Sequence, residues 1–206
     1  LKIDVYEREL ERNQIQMRYL SQQIQPHFIL NAMNVLYSYE PEDYQLSRKM
    51  ILCIAKYFRY VVNANSDFVL LQDEMDHIKN YFEIQKARFP GNFFSLVHCH
   101  NELTHAFIPP LLVQNFAENT IKHSLKSGEK IVIAVTADYV EPQESHRKIR
   151  IVIEDDGAGI SDEILQKIRT FQETGKMQTG LGIGITNTIE RMKHLYADQA
   201  TIVIGR

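Results

Sequence analysis

The sequence predicts an α+β fold, in which a helical first part is followed by a mixed α/β second part. All nine glycines lie at or beyond Gly91, and the 90 residues before it are rich in Leu, Ile, Gln, Glu, Arg and Lys, which favour helices. Beyond Gly91, β-branched runs alternate with helical patterns and glycine turns, which is typical of an α/β layer. The segment Phe89-Pro90-Gly91 stops helices, so we expect the boundary between the two parts there.

The helical part opens with a heptad pattern. Its a positions are Ile3, Leu10, Met17 and Ile24, and its d positions are Tyr6, Asn13 and Leu20. Three heptads predict a coiled coil, although a single amphipathic helix packed on its own domain would give the same pattern. Pro26 then interrupts the ladder, because proline removes a backbone donor and crowds the preceding turn.

Two further helices are predicted before the boundary, each with one apolar face. The first face consists of Leu46, Met50, Ile51, Ile54, Tyr57, Phe58 and Val61. The second consists of Leu71, Met75, Ile78, Phe82 and Gln85. A helix hairpin of this size cannot bury both faces alone, so we expect it to dimerise into a four-helix bundle.

The second part alternates strands and helices. The predicted strands are 93–98, 130–139, 148–154 and 201–204, and the predicted helices are 109–125, 162–171 and 185–196. On the first of these helices, Asn115, Asn119 and Lys122 share one side. Amide oxygens are hard ligands for Mg²⁺ and lysine neutralises phosphate, but an amphipathic helix with a solvated face explains this segment better when it is taken alone.

Two glycine-containing turns are candidates for ligand binding. In DDGAG, Asp155 ends a strand, where its carboxylate could accept a hydrogen bond from an exocyclic amino group, and glycines allow close approach of a flat ligand. In TGLGIGIT (179–186), a glycine-rich loop opens a helix and offers backbone N–H groups to phosphate. The preceding residues 171–179 have the composition of a flap over a site. A plain strand-ending turn remains the alternative for DDGAG.

The order of these segments is more specific than any one of them. QPHF around His27, the box from Asn115 to His123, DDGAG and GLGIG resemble, in this order, the motifs of sensor histidine kinases of the LytS/YesM-like family. NYFEIQKARF (80–89) and NTIERMKHLY (187–196) also resemble sequences of that family. The resemblance therefore covers nearly the whole chain from about Leu20 onward.

The resemblance implies specific roles for these residues. His27 would be the phosphoacceptor, and Asn31 and Glu118 are candidates to assist it. The implied nucleotide-binding residues are Asn115, Asn119, Lys122, His123, Asp155, Gly157, Gly159, Gly180, Gly182 and Gly184. Among them Asn119 would hold Mg²⁺, Asp155 would receive the adenine amino group of ATP, and the last three glycines would border the phosphates.

The resemblance also implies a domain plan and an activity. Residues 1–22 would form a coiled-coil signalling helix, 23–89 a dimerisation and histidine phosphotransfer domain, and 90–206 an ATP-binding domain of the GHKL, or Bergerat, type. A homodimer would phosphorylate His27 from ATP and pass the phosphoryl group to an aspartate of a response regulator. Two alternatives stay open: a catalytically silent ATP-binding switch module, and a free-standing ATPase of the gyrase-like type.

Composition limits the remaining choices of compartment and partner. The 206 residues carry 23 basic and 26 acidic side chains, a net charge of -3 that does not favour a nucleic-acid partner. Cys53 and Cys99 form no disulfide framework, which favours a reducing compartment. No apolar run approaches the ~18 residues of a membrane span. The sequence opens on Leu1 rather than Met, so we expect an excised fragment, and the resemblance implies the cytoplasmic portion of a bacterial membrane sensor whose anchor would lie upstream.

Overall fold

The computed structural model describes residues 26–64, 66–124, 130–140, 148–176 and 180–205. The predicted coiled coil over residues 1–22 lies outside these residues, so it stays a prediction. Within the described ranges, none of the helices is both long enough and apolar enough to cross a membrane.

Six helices and five strands follow one another over the described residues. The helices are α1 (Pro26–Tyr37), α2 (Tyr44–Asn63), α3 (Leu71–Arg88), α4 (Leu112–Ser124), α5 (Asp162–Thr174) and α6 (Ile183–Tyr196). The strands are β1 (Val69–Leu70), β2 (Phe93–Cys99), β3 (Phe107–Ile108), β4 (Ile131–Val140) and β5 (Lys148–Asp155). The helices and strands predicted between Leu46 and Tyr196 are confirmed, with bounds that shift by a few residues.

Helix α3 lies at the centre of the fold, because it packs on α2, β2 and α4. All five positions of its predicted apolar face are buried. Four further buried residues lie outside that predicted face: Glu74, His77, Tyr81 and Ile84. A helix with neighbours on several sides must bury more than one stripe of its surface.

The predicted apolar face of α2 divides into two sets. Met50, Ile54, Tyr57 and Val61 are buried, whereas Leu46 and Ile51 are 51% and 53% exposed. Part of the predicted face is therefore uncovered within one chain, as expected of a hairpin that cannot bury both of its faces alone. Helix α3 covers only part of the arc over which the apolar side chains of α2 are spread.

A three-stranded sheet forms the second part, in the order β2-β4-β5. Strand β2 pairs with β4 in parallel and β4 pairs with β5 in antiparallel orientation. One side chain in two along β4 points to a core shared with α3 and α4, and these residues are Ile131, Ile133, Val135 and Ala137. The same cluster includes Phe28 and Ala32 of α1, so it extends across both predicted parts of the chain.

The predicted strand at 201–204 is wrong. This segment has no strand pairing, and Ile202 and Ile204 pack on a small cluster formed by Ile168, Phe171 and Ile189. Alternation of apolar residues predicts which side chains are buried, and an extended segment that lies on two helices satisfies it without a hydrogen-bonded neighbour.

Candidate functional site

His27 lies in the first turn of α1 and is exposed to solvent. The side-chain nitrogen Nδ2 of Asn31, one turn further on, lies 3.0 Å from Nδ1 of the His27 ring and 3.4 Å from Nε2. The structure therefore confirms that these two residues share a helix face. Proline at the first position of a helix is favourable because its missing N–H would have no partner there.

Phe28, the neighbour of His27, anchors α1 to the core. It is 4% exposed, and its ring centroid lies 4.7 Å from that of Tyr57 and 5.1 Å from that of Tyr81. One side chain therefore faces solvent while the next is held between aromatic rings of α2 and α3. This contact fixes the direction in which α1 presents His27.

Helix α4 carries the predicted polar box and lies between the other segments that are predicted to bind nucleotide. Val113, Ala117 and Ile121 of this helix are buried in the core cluster. Helix α4 contacts both β5 and α6, so the segments that carry the three predicted nucleotide boxes meet around it. Helix α1, with His27, packs on α2 and α3 instead.

The two asparagines of α4 have different surroundings. Asn115 donates from Nδ2 to Oγ1 of Thr188 at 3.1 Å, and Thr188 donates in turn to the carbonyl oxygen of Gly184 at 2.8 Å. Asn115 thus joins α4 to α6. Oδ1 of Asn119 instead lies 3.9 Å from the point that a Cβ on Gly182 would occupy, so Asn119 and Gly182 are brought together.

The remaining residues of the polar box differ in their exposure to solvent. Lys122 is exposed on the same helix and Asn119 is half-buried. The side chain of His123 lies outside the described part of the structure.

The DDGAG turn is ordered by both of its aspartates. Oδ1 of Asp155 accepts from the backbone N–H of Gly157 at 2.9 Å, and Oδ1 of Asp156 accepts from Val132 N–H at 2.6 Å. Gly159 has φ of 73°, a left-handed conformation that favours glycine. Asp155 is exposed at the end of β5, where its carboxylate can be reached by a ligand.

The glycine-rich loop leads directly into α6. Gly180 has φ of 94°, Gly182 immediately precedes the helix, and Gly184 lies in its first turn. A Cβ on Gly184 would meet no atom within 4 Å. The predicted flap over residues 171–179 is wrong in its first half, because 171–174 form the last turn of α5 and Phe171 is buried. Residues 177–179 lie outside the described part.

A buried polar cluster, which the sequence did not reveal, lies where α2, α3 and α4 meet. It consists of Tyr57, Tyr60, Glu74, His77 and Gln114, and we call it the junction cluster. Tyr60 donates to Glu74, while His77 Nε2 and Tyr57 both bond to the Gln114 amide, the latter at 3.1 Å. The sequence feature that could have revealed this cluster is Glu74, a charged residue three positions after the apolar Leu71 and four before the apolar Ile78, and therefore on the same helix face.

Burial dominates the electrostatics of the junction cluster. Loss of solvent raises the pKa of Glu74, and hydrogen bonds from Tyr60 and from the start of α4 act against that rise. Burial also raises the pKa of Tyr57 to about 12 and lowers that of His77 to about 4. His77 is therefore neutral near pH 7.

Two regions of the chain match known protein families. Residues 110–203 match the family of histidine kinase-, DNA gyrase B- and HSP90-like ATPases, so the second part has the ATP-binding fold that this family shares. Residues 15–93 match the histidine kinase family, and the two matches together span most of the chain. The first of these regions therefore belongs to the histidine kinase family and the second to the ATP-binding family that histidine kinases share with DNA gyrase B and HSP90.

Curated relatives carry the same two regions. The chain is 28% identical to the sensor protein LytS of Staphylococcus haemolyticus over 97% of its own length and 35% of the relative. It is 29% identical to the sensor histidine kinase YpdA of Escherichia coli, over 90% of the chain and 31% of the relative. The chain therefore spans about a third of the length of these proteins.

Among solved structures, the chain is similar to a histidine kinase domain of the blue-light activated kinase EL346 of Erythrobacter litoralis. The TM-score is 0.44 at 12% identity, over 82% of this chain and 85% of that one.

Proposed function

We propose that this protein transfers the γ-phosphoryl group of ATP to His27 and then to an aspartate of a response regulator. The observation that carries this proposal is the exposed His27 ring, held by Asn31 on a helix that is anchored to the core of an ATP-binding fold. One relative, LytS of Staphylococcus aureus, is named a sensor histidine kinase/phosphatase, and another, YpdA of Escherichia coli, a sensor histidine kinase. We retain 1–22, 23–89 and 90–206 as the proposed signalling, phosphotransfer and ATP-binding regions.

The residues around α4 fit a magnesium nucleotide. The amide oxygen of Asn119 faces Gly182, at the mouth of a glycine loop whose helix N-terminus attracts phosphate. Amide oxygens are suitable Mg²⁺ ligands, and the ion would neutralise charge on the phosphates. Lys122 would add positive charge, Asp155 would bind the adenine amino group, and Gly184 leaves open space beside the loop.

Asn115 has a different role in our proposal from the one implied by the sequence. Its amide hydrogen bonds to Thr188, so it holds the glycine-rich end of α6 against α4. We propose that it acts on the phosphates through this bond. His123 closes the same box, and Gly157, Gly159 and Gly180 shape the turns that border the nucleotide.

Asn31 would prepare the phosphoacceptor nitrogen. As its amide is oriented, Nδ2 donates to Nδ1 of His27. The opposite orientation would let Oδ1 accept a hydrogen bond from Nδ1–H, which leaves the lone pair on Nε2 free to attack phosphorus. Attack by Nε2 would break the bond between the γ-phosphorus and its bridging oxygen, release ADP and leave the ring proton on Nδ1.

A homodimer would explain the uncovered apolar residues of the helix hairpin. Leu30 and Met33 of α1 and Ile51 and Leu52 of α2 are 43–62% exposed. Apolar faces of this kind on two adjacent helices are those that a four-helix bundle buries. Signals from a membrane segment outside this chain would then act on the hairpin through the proposed coiled coil.

The first prediction tests the phosphoacceptor. Incubated with γ-labelled ATP and Mg²⁺, the wild-type chain should acquire label that is lost in acid and stable in base, because a phosphoramidate bond has this lability. His27→Gln should acquire none, whereas His98→Gln, which changes an exposed histidine on β2, should label as the wild type does. Asn31→Ala should label more slowly.

Two outcomes would contradict the proposal. Label on His27→Gln would place the phosphoacceptor elsewhere. ATP binding without any label on the wild type would favour the silent switch module.

A further inference from the structure

The nucleotide helix α4 begins without a capping residue of its own. Pro109, Pro110 and Leu111 precede it, and its first turn contains no acidic residue. The first backbone N–H groups of any helix have no partner within the helix and need an external acceptor. Leu111 has φ of 60°, so the chain enters the helix through a conformation that is costly for a residue other than glycine. Something must hold this entry in place.

Glu74 of α3 supplies the missing acceptors. Its Oε2 accepts from the backbone N–H of Leu111 at 2.8 Å, and its Oε1 accepts from that of Val113 at 2.9 Å. The carboxylate is fully buried, and Tyr60 of α2 donates to it as well. A negative group at a helix N-terminus is favoured by the helix dipole, most strongly where water is excluded.

We propose that Glu74 is a positioning residue of the nucleotide site, because its carboxylate caps α4 and thereby fixes where Asn119 meets the glycine loop. The proposal rests on the function proposed above, in which Asn119 holds the magnesium nucleotide. Asn119 lies two turns beyond the capped end, on the same rigid helix. A displacement of the capped end of α4 therefore also displaces the side chain of Asn119.

Two other contacts show why the capped end is the controlling one. Arg191 of α6 donates to the carbonyl oxygen of Pro110 at 2.8 Å, and Asn115 bonds to Thr188 of α6. Both tie α4 to the glycine-loop helix, so they move with the site. The start of α4 is tied to the core helix α3 instead, by the hydrogen bonds of Glu74 to the backbone at the helix entry and by the hydrogen bond between His77 and Gln114. Of these, the Glu74 bonds hold the backbone itself, so they set the position of the helix entry relative to α3.

The test compares two isosteric changes on α3 in the full chain. Glu74→Gln replaces one acceptor of the cap by an NH₂ group, which repels a backbone donor. Glu83→Gln is the matched control, because Glu83 lies on the same helix but pairs with Lys49 of α2 and Lys86 of α3. Asn119→Ala serves as the reference for a lost nucleotide contact. Binding of a non-hydrolysable ATP analogue and amide exchange at Leu111 and Val113 are measured for each.

We expect Glu74→Gln to weaken nucleotide binding about tenfold, the value of one charge-assisted hydrogen bond. Exchange at Leu111 and Val113 should accelerate, while the rate of His27 labelling at saturating ATP stays within about twofold, since the helix still adopts the capped position in a fraction of molecules. Glu83→Gln should bind as the wild type does. If Glu74→Gln does not fold, Glu74→Asp keeps the charge on a shorter arm and should also bind more weakly.

The outcomes separate the two proposals. Unchanged affinity in Glu74→Gln or in Glu74→Asp, with affinity lost in Asn119→Ala, would overturn the role of Glu74 and leave the nucleotide site in place. Unchanged affinity in Asn119→Ala would overturn the site itself. Equal losses in Glu74→Gln and Glu83→Gln would show a general effect on α3 and would also overturn the role of Glu74.

Discussion

A histidine between two tyrosines illustrates how single residues join the parts of this protein. The ring of His77 stacks on Tyr60 with centroids 4.1 Å apart and on Tyr57 at 5.0 Å. Its Nε2 bonds to Gln114, whereas Nδ1 has no hydrogen-bond partner among the described residues. Such a site holds a neutral imidazole well and a charged one poorly, since burial opposes the charge.

The second prediction follows from this environment. In the unfolded chain His77 binds a proton below about pH 6.5, but in the folded protein burial lowers its pKa to about 4. As pH falls from about 6.5 to about 4, protonation of His77 therefore favours the unfolded state. Over this range His77 should lower the free energy of unfolding by about 3 kcal/mol, whereas above about pH 6.5 its full contribution to stability is present. Chemical denaturation of the wild type and of His77→Phe at several pH values measures it.

His77→Phe should have a lower free energy of unfolding than the wild type near pH 7, but this free energy should change less steeply with pH. Glu74, whose pKa burial raises, faces the same cluster and titrates in both proteins, so the difference between them isolates the imidazole. Tyr57→Phe removes a hydroxyl from the cluster and should lower stability by a similar amount at every pH. Equal slopes for wild type and His77→Phe would contradict the prediction.

At the scale of elements, α5 and α6 show how ends are specified locally. Ser161 caps α5 by accepting from Ile164 N–H at 3.4 Å, and Gly175 ends it with φ of 68°. Gly184 lies instead within the first turn of α6. A Cβ on either glycine would meet no atom within 4 Å, so any effect of alanine reflects the backbone rather than packing.

The third prediction uses these two glycines as a matched pair. Gly175→Ala should lower the free energy of unfolding by about 1 kcal/mol, because a Cβ is strained in the left-handed region. Gly184→Ala should raise it by about 0.5 kcal/mol, because alanine has less conformational freedom to lose on folding. Thermal and urea unfolding of both variants measure the two values. A change of the same sign in both would contradict the explanation.

Elements with a strong period were predicted well from the sequence, and contacts across the chain were not. The period of α3 located five of its nine buried positions, because burial on one helix face is a local pattern. The strand at 201–204 failed because pairing depends on a distant neighbour. Asn115 and Asn119 matched the expected box, but no local pattern distinguishes the one bonded to Thr188 from the one beside Gly182. Glu74 was missed because its partners lie 37 and 39 residues away.

At the scale of the whole molecule, the fold leaves one face of the hairpin uncovered while its interior is continuous. A single cluster joins Phe28 of α1 to the sheet through α3, so the helix that carries His27 and the sheet of the second part share a core. Ile51 and Leu52 point away from that core and are each 53% exposed. Adjacent exposed apolar residues on α2 are expected at an interface between two copies of the chain.

The fourth prediction tests that interface. The wild-type chain should sediment as a dimer, and Ile51→Lys combined with Leu52→Lys should sediment as a monomer, because two lysines on each copy would have to lose their hydration and face each other. Leu96→Lys is the control, since Leu96 is a similarly exposed apolar residue, at 60%, on the outer face of the sheet. It should remain dimeric. A dimer that dissociates only in Leu96→Lys would place the interface on the sheet, and one that survives all three changes would exclude Ile51 and Leu52 from the interface.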